Sequence, residues 1–404
     1  KTMIELIQNG NVTSPIGFLA GGTYAGLKAP GDEVLDLGVL VSESKASIAA
    51  TFTTNNVPSP SVVLSKERAV KDTAIGVIAN SGSANCCVGS QGYEDAKEMS
   101  ALAGAHLGVK PEDMLVCSTG VIGVELPMAL IRQNIGNIKA TSDGGHDFAK
   151  AIMTTDTRSK ELAISFDVDG KKVTIGGASK GAGMIHPNMA TMLAFITTDA
   201  LVGKAFLQKS LSESVGQSFN MIDIDNDQST NDTVLALANG KSGSVEINEN
   251  SLGSTAFKEG LTYVCVELAK EIVRDAEGAQ RLMEVAVEGA LSFEDASKAA
   301  REISSSMLVK TMLHGGDPNW GRLMMAIGKS GIKINESKID IYINEIQIVH
   351  EGQTISFFKD AVVSAMNAPE VKFGISLNLG DASATAWGCD LTEEYVVFNS
   401  AYST

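Results

Sequence analysis

The sequence predicts an α/β or α+β chain with large sheets, and three features support that prediction. Short apolar runs rich in β-branched residues alternate with longer stretches of helical periodicity along the chain. The 404 residues, of which 44% are hydrophobic, suffice for two or three domains with a sizeable core. The 40 glycines indicate many tight turns and close backbone approaches.

The first half of the chain alternates strand and helix candidates. Helices are predicted over 94–107 and from about Asp143 to Thr154. Asp169-Gly170 separates two strand-like runs and is a dipeptide typical of a hairpin turn. The strand candidates of this half are 34–41, 47–53, 74–79, 115–117, 162–168, 172–175 and 192–196.

The second half contains the strongest helix signal, over 255–273, where apolar residues recur at helical spacing and Ser254 can cap the first turn. Ser292 and Asp295 resemble a capping box that opens a helix extending toward Met312. A new series of strands and helices begins near residue 280, which we take as a domain boundary. Strands are predicted over 282–287, 339–343, 373–379 and 394–398, and a helix over 358–365.

Charge and motif content exclude several functional classes. The chain has 32 Lys and Arg against 48 Asp and Glu, a net charge of −16, so we expect neither nucleic acid nor a membrane surface as a partner. The cysteines are few and scattered, and no signal-peptide core opens the sequence, so we expect a cytoplasmic protein. Scattered histidines, and an Asp223–Asp227 loop lacking the EF-hand Gly and Glu, predict no metal site. The polar loop 225–232 is rich in turn formers and could also line a site.

One segment, KGAGMIHPNMATMLAFITTD over 180–199, combines a Gly-rich loop with an apolar strand, and Ala190 and Thr191 lie at the junction. The simplest interpretation is a loop-to-strand transition with Thr191 as a β-former. The chemical alternative is that attack of the Thr191 hydroxyl on the Ala190 carbonyl cleaves that peptide bond. The freed Thr191 amine, with a reference pKa of roughly 7.7–8.0, could then serve as base for its own hydroxyl.

The motif GMIHPNMATML resembles the self-cleavage sequence of the ornithine acetyltransferase family, the glutamate N-acetyltransferases of arginine biosynthesis. The resemblance extends over essentially the whole chain. Further family-like blocks follow in the right order: NSGSAN, CSTGVIG, MTTDT, STNDT, RDAEGA, GDPNWGR and the C-terminal FNSAYST.

The resemblance implies self-cleavage between Ala190 and Thr191. The α chain (1–190) and β chain (191–404) would stay associated, as a heterotetramer of two α and two β chains. It implies a layered αββα sandwich of the N-terminal-nucleophile kind, formed by 1–190 and 191–280, with a smaller α/β domain over 281–404.

The same resemblance assigns roles to individual residues. Thr191 would be the nucleophile, and the Thr119 hydroxyl and Gly120 amide would stabilise the oxyanion. No metal or organic cofactor is implied. The substrate-binding positions would be Thr154, Lys180, Thr191, Glu277, Asn399 and Thr404.

The implied reaction moves the acetyl group from N-acetylornithine to glutamate by a ping-pong mechanism through acetyl-Thr191. Three alternatives stay open: a bifunctional enzyme that also uses acetyl-CoA, a related amidase or aminopeptidase, and a non-enzymatic binding protein. From the residues alone, Lys180 could equally be a solvated loop lysine and Glu277 a surface carboxylate at a helix end. Thr119-Gly120 could be an ordinary strand-end turn.

Overall fold

The computed structural model describes residues 3–28, 30–31, 33–186 and 192–401, which form one nine-stranded and one six-stranded sheet. The strands of the first sheet are β1 (Glu5–Leu6), β2 (Phe18–Thr23), β3 (Leu37–Phe52), β4 (Thr73–Ser83), β5 (Met114–Val121), β6 (Lys160–Val168), β7 (Lys171–Lys180), β8 (Leu193–Thr198) and β9 (Thr233–Ala238). Those of the second are β10 (Leu282–Ala290), β11 (Asp340–Ile343), β12 (Ile346–His350), β13 (Gln353–Thr354), β14 (Glu370–Ser376) and β15 (Ala382–Cys389).

Eleven α-helices lie in the described part of the chain. None of them is both long and apolar enough to cross a bilayer. They are α1 (Pro60–Arg68), α2 (Gln91–Leu107), α3 (Met128–Asn134), α4 (Gly145–Ala151), α5 (Lys204–Gly216), α6 (Ser254–Arg274), α7 (Phe293–Ser304), α8 (Met307–Gly315), α9 (Trp320–Lys329), α10 (Lys359–Met366) and α11 (Glu393–Ala401).

The nine-stranded sheet runs in the order β1-β6-β7-β8-β9-β3-β4-β5, and β2 pairs with β3. The β8–β9 and β4–β5 pairs are parallel, and the other pairs are antiparallel. The long strand β3 pairs with β2 through residues 37–42 and with β9 through residues 47–52. Strand β3 therefore belongs to both halves of the sheet and connects them.

The two halves of this sheet pack face to face. Phe195 of β8 lies in the same apolar cluster as Leu115 of β5, and its ring meets Phe148 of α4 edge-on at a centroid distance of 5.0 Å. The alternate residue Ile196 faces the opposite side, where α5 and α6 pack. Helices α1, α2 and α3 cover the outer face of the other half. This arrangement confirms the layered αββα sandwich.

The six-stranded sheet has the order β13-β12-β11-β14-β10-β15, and its β10–β14 pair is parallel. Ile341 and Ile343 of β11 are fully buried, whereas Asp340 and Tyr342, which alternate with them, are partly exposed, as expected for a sheet with one covered face. Helix α7 packs on β10 and β15, and the Ser292 hydroxyl caps it by accepting the Asp295 N–H at 3.1 Å. The division of the chain at residues 190 and 280 stays a prediction.

Several predicted elements differ from the structure. The candidates 34–41 and 47–53 merge into the single strand β3 (Leu37–Phe52), because the chain stays extended between them and only its register with β4 shifts there. Gly253, not Ser254, precedes α6, and no side chain caps that helix. The helix predicted from Ser292 toward Met312 ends at Ser304, since Ser306 caps a separate helix α8 through the Val309 N–H.

The strand predicted over 394–398 is wrong, because these residues lie in α11. Tyr, Val, Val and Phe in succession favour a strand by local propensity. In the helix, Tyr395 and Asn399 are four residues apart and share one face, and both side chains bond to groups at the cavity described below. Tertiary contacts therefore override local propensity at this position.

Candidate active site

A cavity of about 380 Å³ lies where the ends of β5 and β7 meet α11. Every predicted site residue that the structure describes lines this cavity. These residues are Thr119, Gly120, Thr154, Lys180, Glu277 and Asn399. The predicted cleavage bond between Ala190 and Thr191, the nucleophile Thr191 and the tail residue Thr404 lie outside the described residues.

Lys180 occupies the centre of the site at the end of β7, with a side chain that is almost inaccessible to solvent. Its ammonium donates to the hydroxyl oxygens of Thr119 and Thr154, each at 3.0 Å. Burial lowers the pKa of Lys180, and the nearby carboxylates of Asp156, Asp232 and Glu277 oppose that change. Lys180 is therefore not a solvated loop lysine.

The segment that carries Thr119 and Gly120 has a backbone that few residues tolerate. Gly120 has a φ of +133°, and its strand partner Gly82 has a φ of +108°. A Cβ on Gly120 would lie 2.3 Å from the Gly82 carbonyl carbon, so no side chain fits there. The Asn231 amide fixes this strand end by donating to the carbonyl oxygens of Ala84 and Ser118 at 2.7 Å each.

The structure describes the chain again from Met192, immediately before β8. Leu193 pairs with Lys180 of β7 on one side and with Thr233 of β9 on the other. The Met192 N–H donates to Oδ1 of Asp232 at 3.0 Å. Burial raises the pKa of Asp232 well above its ordinary value, and the charge of Lys180 acts in the opposite direction.

Glu277 follows α6 and is held in place by donors on both sides. The Thr155 hydroxyl donates to its Oε1 at 2.8 Å, and the Asn399 amide donates to its Oε2 at 2.7 Å. A Cβ on Gly183 would lie 2.6 Å from this carboxylate, so the loop passes closely only because Gly183 has no side chain. Both hydrogen-bond partners of this half-buried carboxylate within the described residues are neutral groups, so a cation can also pair with it.

A network of buried charged residues lies next to Lys180 and stabilises its position. The Lys160 ammonium contacts Asp156 and donates to Asp275 Oδ2 at 2.7 Å. Asp156 in turn accepts the Gly181 N–H at 2.9 Å. Burial alone would raise the pKa of Asp156, but the ammonium groups of Lys160 and Lys180 outweigh it and hold the pKa below its usual range. Asp156 therefore fixes the backbone next to Lys180 and supplies negative charge.

Asp225 anchors the loop that leads toward the predicted cleavage bond. Its carboxylate accepts the N–H groups of Met184 and Ile185 at 2.7 and 2.9 Å, and the Tyr395 hydroxyl at 2.8 Å. Met184 has a φ of +54°, which the two backbone bonds to Asp225 help to hold. Among the described residues, no group of three or more His, Cys, Asp or Glu side chains is arranged to hold a metal ion.

The sequence does not single out Asp156 or Tyr395 as site residues, and it indicates Asp225 and Asp232 only as the ends of a polar loop that could line a site. For Asp232 a signal existed, since its carboxylate stands immediately before the buried strand 233–238, whose residues are all apolar from 234 onward. Tyr395 lies in a segment that the sequence predicts as a strand, and a strand would not place it on one face with Asn399 as α11 does. The contacts of Asp156 with Lys160 and of Asp225 with residues 184 and 185 depend on the folded backbone.

Comparisons with known proteins show which family this chain resembles. The model of the ArgJ family matches residues 19–404. The arginine biosynthesis bifunctional protein ArgJ of Dehalococcoides mccartyi (strain CBDB1) is 45% identical over 404 residues, which cover 100% of both chains. Its counterpart from Symbiobacterium thermophilum is 46% identical over 397 residues, or 98% of this chain and 99% of the relative. The crystal structure of the arginine biosynthesis bifunctional protein ArgJ from Bacillus halodurans is similar with a TM-score of 0.51 and 39% identity, over 52% of this chain and 98% of that one.

Proposed function

Because the chain belongs to the ArgJ family, we propose that it transfers an acetyl group from N-acetylornithine to glutamate in arginine biosynthesis. The observation that carries the proposal is the contact of the buried Lys180 ammonium with the hydroxyls of Thr119 and Thr154 in the cavity. The same cavity contains the carboxylate of Glu277. One site thus offers a cation, an anion and hydroxyl donors to an amino-acid substrate.

Activation is proposed to begin with cleavage between Ala190 and Thr191. The Thr191 hydroxyl attacks the Ala190 carbonyl carbon, its proton passes to the departing nitrogen, and the C–N bond breaks, which frees the Thr191 amine. Water then hydrolyses the resulting ester to the Ala190 carboxylate and the free Thr191 hydroxyl. Support comes from the next residue, Met192, whose N–H is tied to the buried Asp232. That bond fixes the backbone immediately after Thr191.

Transfer then proceeds in two half-reactions. The Thr191 amine takes the proton of its own hydroxyl, the oxygen attacks the acetyl carbonyl, and the amide C–N bond of N-acetylornithine breaks. The same amine returns the proton to the departing ornithine, which leaves acetyl-Thr191. The glutamate amine attacks this ester, and N-acetylglutamate leaves. Thr119 and Gly120 are proposed to stabilise the oxyanion in both halves.

The proposed substrate recognition uses donors and acceptors that have no further partner within the described part of the chain. An ammonium has three N–H donors, and within these described residues Lys180 uses two on threonine hydroxyls, which leaves one for a substrate carboxylate. Each Glu277 oxygen accepts one bond from a neutral group and retains a lone pair for the ornithine side-chain ammonium. Thr154, Asn399 and Thr404 complete the proposed binding set.

Acetyl-CoA as a second acetyl donor is favoured by one observation, the word bifunctional in the names of the similar ArgJ proteins. We further propose that the α and β chains stay associated in the cytoplasm as a heterotetramer. Sedimentation of the purified protein measures the assembly. Glutamate acetylation with acetyl-CoA alone, without N-acetylornithine, measures the second activity.

The test of the proposed function is substitution of Thr191. Thr191→Ala is expected to give one intact chain and no acetyl transfer, because both steps need the hydroxyl. Thr191→Ser keeps a hydroxyl and is expected to give two fragments, the first ending at residue 190, with measurable transfer. Normal transfer by Thr191→Ala would contradict the proposal, and release of acetate at the same rate without glutamate would indicate an amidase.

A further inference from the structure

Two adjacent cysteines, Cys86 and Cys87, follow the NSGSAN block and place their sulfur atoms together. The two Sγ atoms are 3.8 Å apart. Successive side chains of an extended segment point to opposite sides, so this contact needs a special backbone. Cys87 supplies it with a φ of +57°. The backbone thus holds two thiols in contact.

The two thiols differ in their access to solvent. Cys87 is exposed, whereas Cys86 is buried and its thiol contacts the Val57 carbonyl oxygen at 3.5 Å. Burial raises the pKa of Cys86. The remaining cysteines, Cys117, Cys265 and Cys389, are buried at other places in the fold. Only the 86–87 pair therefore combines an accessible thiol with a second thiol beside it.

We propose that Cys86 and Cys87 form a reversible oxidation site for hydroperoxides, and that its disulfide slows the enzyme. The accessible Cys87 thiol reduces the O–O bond, which gives a sulfenic acid and releases water or an alcohol. The Cys86 sulfur then attacks the sulfenic sulfur, the S–O bond breaks, and water leaves with the Cys86 proton. Two thiols have lost two electrons and two protons to the peroxide.

Reversibility follows from the geometry of neighbouring residues. Cα atoms across a trans peptide are about 3.8 Å apart, which is shorter than the usual disulfide spacing of roughly 4.4–6.8 Å. A disulfide between neighbours is therefore strained, and strained disulfides are the readily reduced ones. A dithiol reductant restores both thiols and is itself oxidised to a disulfide.

Two backbone hydrogen bonds connect the oxidation site to the segment that follows the proposed oxyanion residues Thr119 and Gly120. The Cys86 carbonyl accepts the Gly123 N–H at 2.8 Å, and the Val121 carbonyl accepts the Ala84 N–H at 3.0 Å. These bonds fix the chain that leaves Gly120. Closing the disulfide brings the sulfurs from 3.8 Å to about 2.05 Å, so the backbone that carries the Cys86 carbonyl must rotate. We expect kcat to fall on the order of tenfold, since small displacements at a catalytic group cost that much or more.

The first experiment is peptide mass mapping of the purified full chain after treatment with equimolar hydrogen peroxide. The peptide containing residues 86 and 87 is expected to lose two hydrogens and to regain them with dithiothreitol. Cys86→Ala should abolish this change, whereas Cys265→Ala, a matched cysteine removal elsewhere in the fold, should leave it intact. A sulfinic acid on Cys87, or Cys87-linked dimers, as the main wild-type product would overturn the proposal.

The second experiment measures acetyl transfer by the same samples. Wild-type kcat is expected to fall with peroxide and recover with dithiothreitol, while Cys87→Ser keeps its kcat under the same treatment. An unchanged kcat in protein shown by mass to carry the disulfide would refute the effect on the enzyme. Because the mass change does not depend on activity, failure of this proposal is distinguishable from failure of the proposed function.

Discussion

The two sheets of the molecule bury different chemistry. The nine-stranded region encloses Asp156, Lys160, Lys180 and Asp232, each almost inaccessible to solvent. The interior of the six-stranded sheet is mainly apolar, and alternate residues of its strands are buried there, such as Ile341 of β11 and Phe373 of β14. The buried ammonium of Lys310 lies at the border of the two regions, where it contacts the Cys389 carbonyl and approaches Asp223 at 3.7 Å.

The chain therefore accepts the free-energy cost of burying charged groups mainly in the first region. Removing a charge from water costs several kcal/mol unless partners compensate it, so buried charges concentrate where chemistry requires them. Burying the apolar side chains of the second sheet carries no such desolvation cost, and it stabilises the fold. We therefore expect changes in the first region to alter kinetics and changes in the second to alter the free energy of unfolding.

The largest expected effect is on the rate of transfer in Thr119→Ala. Loss of one oxyanion donor typically lowers kcat by about 10²–10³-fold, and we expect that range with KM changed by less than the rate. Thr119→Ser keeps the hydroxyl and should retain most of the activity. Steady-state kinetics measure both values, and an unchanged kcat in Thr119→Ala would remove Thr119 from the oxyanion role.

In the six-stranded sheet, Ile341→Ala should act on stability alone. Truncation of a fully buried isoleucine lowers the free energy of unfolding by about 2–5 kcal/mol, because it loses buried area and leaves a cavity. Urea unfolding in a Thr191→Ala background measures this on one continuous chain. At a temperature where the variant stays folded, its kcat in the active background should equal that of the parent. A tenfold loss of kcat would break the separation between the regions.

Glu277→Gln is expected to raise KM for N-acetylornithine while kcat changes little. A hydrogen bond to a charged group contributes about 1.5–3 kcal/mol, which corresponds to a roughly ten- to hundredfold change in affinity. The glutamine amide can keep one of the contacts with Thr155 and Asn399, so the fold should persist. Glu394→Gln, an exposed carboxylate on the same helix as Asn399, is the matched control. Equal KM values in the two variants would reject the assignment.

The smallest effect concerns pH and Asp232. Since burial raises its pKa, the folded chain binds the Asp232 proton more tightly than the unfolded chain does. This contribution to stability is fully present below about pH 4 and is lost as pH rises toward the folded pKa. The Thr191→Ala chain should therefore lose up to about 1.4 kcal/mol per pH unit in that window relative to the same chain with Asp232→Asn. Asp227→Asn, an exposed neighbour, should leave the slope unchanged, and equal slopes in all three would contradict the raised pKa.

Local patterns predicted much of the fold, because the relevant information lies within a few residues. The hairpin at Asp169-Gly170 formed as predicted, with φ values of +52° and +75° that its two residues favour. The spacing of apolar residues over 255–273 likewise predicted the buried face of α6. The separate start of α8 after Ser306 is not predicted, because three consecutive serines inside an amphipathic stretch give no strong break signal.

The candidate site was predictable only as a set of motifs. Nothing in the residues alone places Lys180 against Thr119, which is 61 positions away. The contact arises because the ends of β5 and β7 meet across the two packed halves of the first sheet. The ionic support from Asp156 and Asp275 also depends on that packing, so the sequence could suggest the reacting groups but not the residues that position them.

The strand order has a last consequence for the proposed mature enzyme. Strands β8 and β9 lie between β7 and β3, so a cut before Thr191 would leave each product supplying inner strands to one common sheet. Lys160 and Asp275 would likewise become an ion pair across two separate polypeptides. The two chains could separate only by breaking the hydrogen bonds of the β7–β8 and β9–β3 pairs. Their reassociation would depend on protein concentration. Dilution after denaturation would then hinder recovery of the cut protein while sparing an uncut variant.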